Sequence, residues 1–412
     1  MKIIFLSTCY PQKDKLYNGI FIHRQAKALQ ELGIEVHVIQ PVNWFPPLGL
    51  HVLHPYWSKG WSQLQQMEHE VEGVKIHHPK MFIKMPSRYF PEDNWELMGR
   101  SVGRYINTHT ELKNADWIYA HFLCHEGYAG VFASSLTGIP LAAIARGDDV
   151  HAWPETNSSL VKNLNVVFRE AELLLANSKQ LAEDTKHWFE KDINRDVQIV
   201  YNGVDNTSFF PVTNQSERNR LRIKFELPLD KNLLICVATP VVLKGWIELL
   251  DAIQQLGNQF DEWKLIAVTP DWQFKEALNL GEEIARRGIQ DYFIEKVAVP
   301  PSEMGELYRA MDAFVLPSYN EGISNAVVEA MASGLPTVTT NVGGHSEFIR
   351  HDENGILIPP RNVTALKESI GKIIHNEKFR NNLSREASKV KSILGSFNDN
   401  ATGLLKFLKR KS

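Results

Sequence analysis

The stretch YNEGISNAVVEAMASGLP, residues 319–336, gathers the side chains with most chemistry to offer. Ser324 and Asn325 suit the start of a helix, NAVVEAMAS carries a mostly apolar helical pattern, and Gly334 ends it. The strand-like AFVLPS comes just before, so the helix start falls at the carboxyl edge of a sheet. Unpaired N–H groups there favour an anion, and a diphosphate is the natural guest. Glu321 cannot itself bind that anion, because like charges about 6 Å apart at an effective dielectric of about 20 repel by roughly 3 kcal/mol. Carboxylates accept strongly from hydroxyls, so Glu321 suits a sugar joined to the diphosphate. Glu329 lies more than one turn into the helix and leans back toward its start, within reach of a second hydroxyl such as a ribose's. The same spacing equally fits an acid near the helix dipole plus an exposed glutamate.

Such a site needs strands that deliver loops to one edge. KIIFLST reads as a buried strand, FIHRQAKALQELG as an amphipathic helix stopped by Gly33, and EVHVIQP as the next strand; the first loop holds Asn18 and Gly19. The same unit begins again with NLLICVAT, a loop holding Lys244 and Gly245, the helix WIELLDAIQQL and the strand WKLIAVTP. Between the two starts lie the strands DWIYAH, IPLAAIA and LLLANS and the helices SLVKNLNVVFREA and KQLAEDTKHWFE. In the second half TVTT reads as a strand and TALKESIGKIIHN as a helix. This alternation predicts an α/β chain with parallel sheets covered on both faces. VYNGVDNTSFFPVTNQSERN, with four Asn, two Ser, a Gly and a Pro, is the expected linker, with the boundary near Asn206. The terminal stretch GLLKFLKRKS is apolar-periodic and ends on cations that complement a helix terminus.

At 412 residues the chain exceeds one ordinary core. A formal net charge of −3 without a long basic run argues against nucleic acid as a partner. Cys9, Cys124 and Cys236 sit in or beside apolar runs, not in metal-ligand spacing, and read as buried free thiols of a reducing compartment. MKIIFLSTCYPQKDK has too short an apolar core for a signal peptide, and no apolar run reaches the length of a membrane span. A cytoplasmic protein is expected, with peripheral contact at the inner face of a membrane as a further expectation. The segment from Trp44 to Tyr105 has few clear periodicities; Trp44, Phe45, Trp57 and Trp61 could meet a membrane or an acceptor, or pack under long loops.

LPSYNEGISNAVVEAMASGLPTVTTNVGGHSEFI closely resembles the E-x(7)-E region of retaining glycosyltransferases of family four, which have the GT-B fold of two Rossmann-like domains facing across a cleft. The resemblance runs through NGIFIHRQAKALQELGIEVHVI, YAHF, IVYNGVDNTSFFP and LKG in the family's order, over nearly the whole chain. It implies an acceptor-binding domain at 1–205, a nucleotide-sugar-binding domain at 206–390 and a terminal helix at 391–412 packing back on the first domain. By the same likeness the Gly19 backbone approaches the diphosphate, Lys244 neutralises it, and residues Gly322, Ile323, Ser324 and Asn325 receive phosphate. Glu321 would hold the donor sugar, Glu329 the ribose, and His121 would lie near the transferred sugar and acceptor. Ala238 and Thr239 stand where the family usually has Gly-Arg, removing one expected cation; Arg146 is a candidate substitute, with pairing to Asp148 or Asp149 as the alternative.

The implied reaction moves a sugar, with retention, from a nucleoside-diphosphate sugar to a hydroxyl of a glycan or lipid-linked acceptor in polysaccharide or cell-envelope glycoconjugate synthesis. No D-x-D triplet occurs, so neither metal nor cofactor is expected. No G-x-G occurs either, which disfavours a nicotinamide dehydrogenase. A catalytically weak nucleotide-sugar-binding protein and a nucleotide-sugar epimerase on the same fold remain as alternatives.

Overall fold

The computed structural model describes residues 1–12, 17–44, 67, 69–81, 91–151, 153–270 and 277–409. Of the aromatic segment, Phe45, Trp57 and Trp61 lie outside these residues, while Trp44 lies inside and is 38% exposed. The chain forms two units, Met1–Tyr201 with Phe397–Ser412, and Asn202–Ser396.

In the first unit, β1 (Lys2–Leu6), β2 (Glu35–Ile39), β5 (Val74–His77), β7 (Trp117–His121), β8 (Leu141–Ala145), β9 (Leu173–Ala176) and β10 (Val197–Ile199) are parallel. Their order is β10-β9-β8-β7-β1-β2-β5, and β4 (Glu70–Val71) adds antiparallel to β5 at the edge. A short parallel pair, β3 (Val42–Asn43) and β6 (Lys80–Met81), stands apart. Strands such as WIYAH and LAAIA are buried along their whole length, as a sheet covered on both faces requires. The helix Ile20–Glu31 turns Ile22, Ala26 and Leu29 into one core, and the helix Phe397–Lys409 adds Ala401, Leu404, Leu405 and Leu408 to it.

The second unit is a six-stranded parallel sheet, β13 (Phe293–Val297), β12 (Trp263–Thr269), β11 (Asn232–Val237), β14 (Ala313–Leu316), β15 (Thr337–Thr340) and β16 (Ile356–Ile358), in that spatial order. That is the 3-2-1-4-5-6 arrangement of a doubly wound nucleotide-binding sheet.

The crossings between units fall a few residues from the expected 205/206 and 390/391. Val204 forms a parallel bridge with Ser396 and donates its N–H to Gly395 O at 3.0 Å, which keeps both crossing segments with the second unit. The helix Pro91–Thr108 is a further departure, since it lies in the segment where no period stood out. Gly99 and Gly103 dilute its pattern, yet they are where it meets the helix Tyr128–Thr137: a Cβ on Gly99 would sit 2.1 Å from Ala129 O. Among the described residues, no helix is long and apolar enough to cross a membrane.

His125 stacks between Trp95 (ring centroids 4.2 Å apart) and Trp153 (4.5 Å), and burial pushes it down to about 4. It stays neutral in the fold while an unfolded histidine takes up a proton near pH 6.5. Its contribution is therefore intact above that pH and is lost as pH falls toward 4, by at most about 1.4 kcal/mol per pH unit. His125→Phe keeps a stacked ring but takes up no proton. Its thermal midpoint is expected to fall less steeply than the wild type's between pH 7 and pH 5, and an equal or steeper fall contradicts the assignment.

Candidate active site

In the second sheet β11 and β14 are neighbours, but the chain leaves β11 toward β12 and leaves β14 toward β15, on the opposite side. The chain beyond their carboxyl ends thus runs to opposite sides of the sheet, a topological switch point and the usual ligand position in such sheets. After β11 the turn Val242–Lys244 ends on Gly245, at φ 72°. A Cβ there would lie 2.1 Å from Pro317 O, so glycine lets the two loops touch. Tyr319 N–H donates to Leu243 O at 2.8 Å and stitches them together.

This contact brings Lys244 to Glu321, 77 positions later in the chain. Lys244 Nζ donates to Glu321 Oε1 at 2.8 Å, and the Ser318 hydroxyl donates to the same oxygen at 2.8 Å. Among the described residues no hydrogen bond reaches Oε2, which leaves that oxygen as an acceptor for a hydroxyl. Burial alone would raise this carboxyl, but the Lys244 ammonium and the Ser318 hydroxyl outweigh it and hold Glu321 below the usual carboxylate range.

The loop after β15 clamps the site from the other side. Gly344 N–H donates to Gly322 O at 2.7 Å, and Gly343, at φ 52°, would bring a Cβ within 2.0 Å of Glu321 O. His345 donates from Nδ1 to Thr340 O at 2.9 Å, and its buried Nε2 has no partner among the described residues. Burial lowers this imidazole despite the opposing pull of Glu321.

The helix Asn325–Ala332 starts here, with Ser324 at the cap position and its hydroxyl making no cap bond. Its first helical bond is Val328 N–H to Ser324 O at 3.1 Å, and among the described residues nothing accepts from the N–H groups of Asn325, Ala326 or Val327. Those amides are the free donors an anion needs. The Asn325 side chain caps nothing; its Oδ1 accepts from Asn202 Nδ2 at 3.0 Å. Glu329 is half-buried in the second turn. The structure thus brings together Lys244, Glu321, Gly322, Ile323, Ser324 and Asn325. Ser318, Gly343 and His345 are additions sequence reasoning missed, although the Gly-Gly pair after TVTT was a visible signal.

In the first unit Gly19 (φ 68°) opens the helix Ile20–Glu31, and a Cβ on it would lie 2.4 Å from Cys9 O. His121 ends β7, fully buried between the rings of Phe5 (4.8 Å) and Tyr119 (4.6 Å). Its Nδ1 accepts from Arg146 Nη2 at 2.7 Å. The proton of the neutral ring is therefore on Nε2, which is buried without a partner among the described residues. Burial, reinforced by the guanidinium, pushes His121 well below its ordinary range. Arg146 also donates to Gln25 Oε1 at 3.2 Å and lies over the Phe21 ring, so its charge already serves the first unit. Asp149 accepts the backbone N–H groups of Arg146 and Gly147, each at 2.9 Å. The thiols are free: Cys124 and Cys236 are buried and Cys9 half-buried.

Two family models match in succession, Glycosyltransferase Family 4 over residues 19–208 and Glycosyl transferases group 1 over 217–390. The chain belongs to glycosyltransferase family four. This family-four transferase is 27% identical to TuaC of Bacillus subtilis (strain 168), named for glycosyl transfer in teichuronic acid biosynthesis, over 92% of its own length and 90% of the relative's. Among solved structures, a sucrose-phosphate synthase from Thermosynechococcus elongatus has a TM-score of 0.80 at 16% identity, covering 100% of this chain and 98% of that one. HepE of Anabaena, solved with UDP-glucose, has a TM-score of 0.72 at 19% identity, covering 100% of both. These likenesses identify the fold as GT-B, two Rossmann-like domains.

Proposed function

We propose that this transferase moves a sugar from a nucleoside-diphosphate sugar to a hydroxyl of a glycan or lipid-linked acceptor, with retention and without a metal ion, in polysaccharide or cell-envelope glycoconjugate synthesis. The observation that carries the reading is the Lys244–Glu321 pair beside an uncapped helix start at the β11/β14 switch point. As the bond from the anomeric carbon to the diphosphate lengthens, negative charge grows on the leaving oxygens. Lys244 and the amides of Asn325, Ala326 and Val327 stabilise that charge, fixed in place before the reaction begins. Glu321 Oε2 accepts a hydroxyl of the sugar, and Glu329 takes a ribose hydroxyl. His121, its Nδ1 occupied by Arg146, serves the sugar or acceptor as an Nε2–H donor and not as a base. The Gly19 backbone approaches the diphosphate. HepE was solved with a nucleotide sugar, which supports a donor of that class.

A thermal-shift screen of nucleotide sugars, followed by transfer assays in EDTA with the anomeric configuration read by NMR, tests this. A true donor at about 100 times its Kd contributes roughly 2.7 kcal/mol, or about 5 to 10 °C. Product of the donor's configuration, formed in EDTA, is the expected result. No stabilising donor, or an inverted product, overturns the reading.

A further inference from the structure

β1 and β7 are neighbours in the first sheet, yet β1 continues to β2 on one side while β7 continues to β8 on the other. The chain beyond their carboxyl ends therefore runs to opposite sides of the sheet, as at β11 and β14. Glu126 bridges this divide. It lies in a π-helical turn, Leu123–Gly127, after β7 and is 1% exposed. Its Oε1 accepts the Thr8 N–H at 3.0 Å and the Thr8 hydroxyl. Its Oε2 is buried with no partner among the described residues.

Thr8 belongs to the loop whose backbone packs against Gly19. Its carbonyl accepts from Gln40 Nε2 at 3.1 Å, and the next carbonyl, of Cys9, is the atom that leaves no room for a side chain on Gly19. Position thus passes from Glu126 through Thr8 and Cys9 to the start of the helix Ile20–Glu31. The turn that carries Glu126 is itself tensioned. Phe122 holds φ 76° and ψ 131°, a conformation costing on the order of 1–3 kcal/mol in a residue with a side chain. Leu123 N–H is held by Asp149 at 2.7 Å. Strain and an unpaired buried carboxylate oxygen persist only where the surroundings impose them, and here both occur in the turn that meets the β1 loop.

We propose that Glu126 is a positioning residue for sugar transfer: through Thr8 it sets the height of the Gly19 backbone, and with it the engagement of the donor diphosphate. The inference rests on the proposed function for its link to turnover, but not for the link from Glu126 to the loop. The titratable groups facing Glu126 are Cys9 in the β1 loop, Cys124 in its own turn and Asp149 after β8. Both thiols are pushed upward and stay neutral. Burial raises the Glu126 carboxyl to about 7, against the Thr8 bonds that favour ionisation. The ionised form is the better acceptor for Thr8. Its folded value being raised, the stability it contributes is present below the ordinary carboxylate range and is lost as pH rises through about 7. The loop is thus held most firmly in the pH range where the fold gains least from this group.

The test compares wild type with Glu126→Ala, Glu126→Gln and Thr8→Val. With the donor found by the thermal-shift screen, Glu126→Ala is expected to lower kcat/KM by about 10- to 100-fold, mainly through donor KM. Glu126→Gln, which keeps an oxygen for Thr8, is expected to recover to within about fivefold of wild type and to lose the wild-type rise of kcat/KM through pH 7. Hydrogen exchange without donor reads the loop directly: faster exchange at residues 8–12 and 19–23 is expected in Glu126→Ala, and a smaller increase in Thr8→Val. Should Glu126→Ala not fold, Thr8→Val carries both readouts from the other end of the bond. Unchanged exchange, or an inflection at pH 7 that survives in Glu126→Gln, overturns the proposal. Wild-type protein that turns over no nucleotide sugar counts against the proposed function instead, and the exchange data still decide the role of Glu126.

Discussion

Glu321→Gln is expected to lower turnover by about 100- to 1,000-fold while donor affinity changes by less than tenfold. The amide keeps the size of the carboxyl and an oxygen for the Ser318 hydroxyl, so packing at this 13%-exposed side chain survives. What it loses is the charge that holds Lys244 at 2.8 Å and lets Oε2 accept strongly from a sugar hydroxyl. An ammonium released from its partner is drawn to the diphosphate in the ground state, which favours binding over reaction. The pH signature follows from the depressed carboxyl. The ionised pair persists above the ordinary carboxylate range and is lost only as pH falls through a value below it, so Glu321 produces no acid limb above about pH 4.3. Steady-state kinetics with a cognate donor check this, and turnover within threefold of wild type would sink the role given to Glu321.

Gly343→Ala should disable the same site without removing any reactive group. The residue holds φ 52°, where a side chain costs about 1–2 kcal/mol, and the added methyl would lie 2.0 Å from Glu321 O and 2.5 Å from Gly322 O. Both neighbours are backbone, so relief means separating the loop after β15 from the segment that carries Glu321, which disturbs the setting of Glu321 against Lys244. A displacement of about 1 Å at a reacting centre is enough to lower turnover by roughly 100-fold. Strain and lost packing of at least about 2 kcal/mol would lower the melting temperature by roughly 4 to 8 °C. Calorimetry and kinetics on one preparation check both effects. Normal melting with normal turnover would mean that the loop after β15 yields freely.

The difference between the legible and illegible parts of this chain is largely one of range. KIIFL, WIYAH, LAAIA and NLLICV are apolar on both faces, and that local signal survives any tertiary arrangement, so the parallel sheets were readable. So was the helix start at Asn325, marked by Ser-Asn before an apolar run. The edge strand FIEKV was not, because only its sheet neighbour β12 makes it a strand. In the helix Pro91–Thr108 the buried Met98, Val102 and Ile106 do follow a helical period. Gly99 and Gly103 interrupt that pattern, and become contact points only against a partner helix. At the site, spacing left Glu321 and Glu329 open between ligand-binding acids and a dipole-facing acid plus a surface glutamate, and only the family resemblance gave them roles, whereas His345 could be placed beside Glu321 only by folding β15 next to β14. Arg146 was legible in RGDD as a candidate substitute cation or a partner of Asp148 or Asp149, but its bond to His121 depends on β7 and β8 lying side by side.

The helix Phe397–Lys409 closes a core whose remaining residues all precede position 202. A ribosome therefore releases the greater part of the first domain long before Ala401, Leu404, Leu405 and Leu408 exist to cover Ile22 and Leu29. During synthesis that apolar surface waits through nearly two hundred further residues, so the second unit is complete before the first can close.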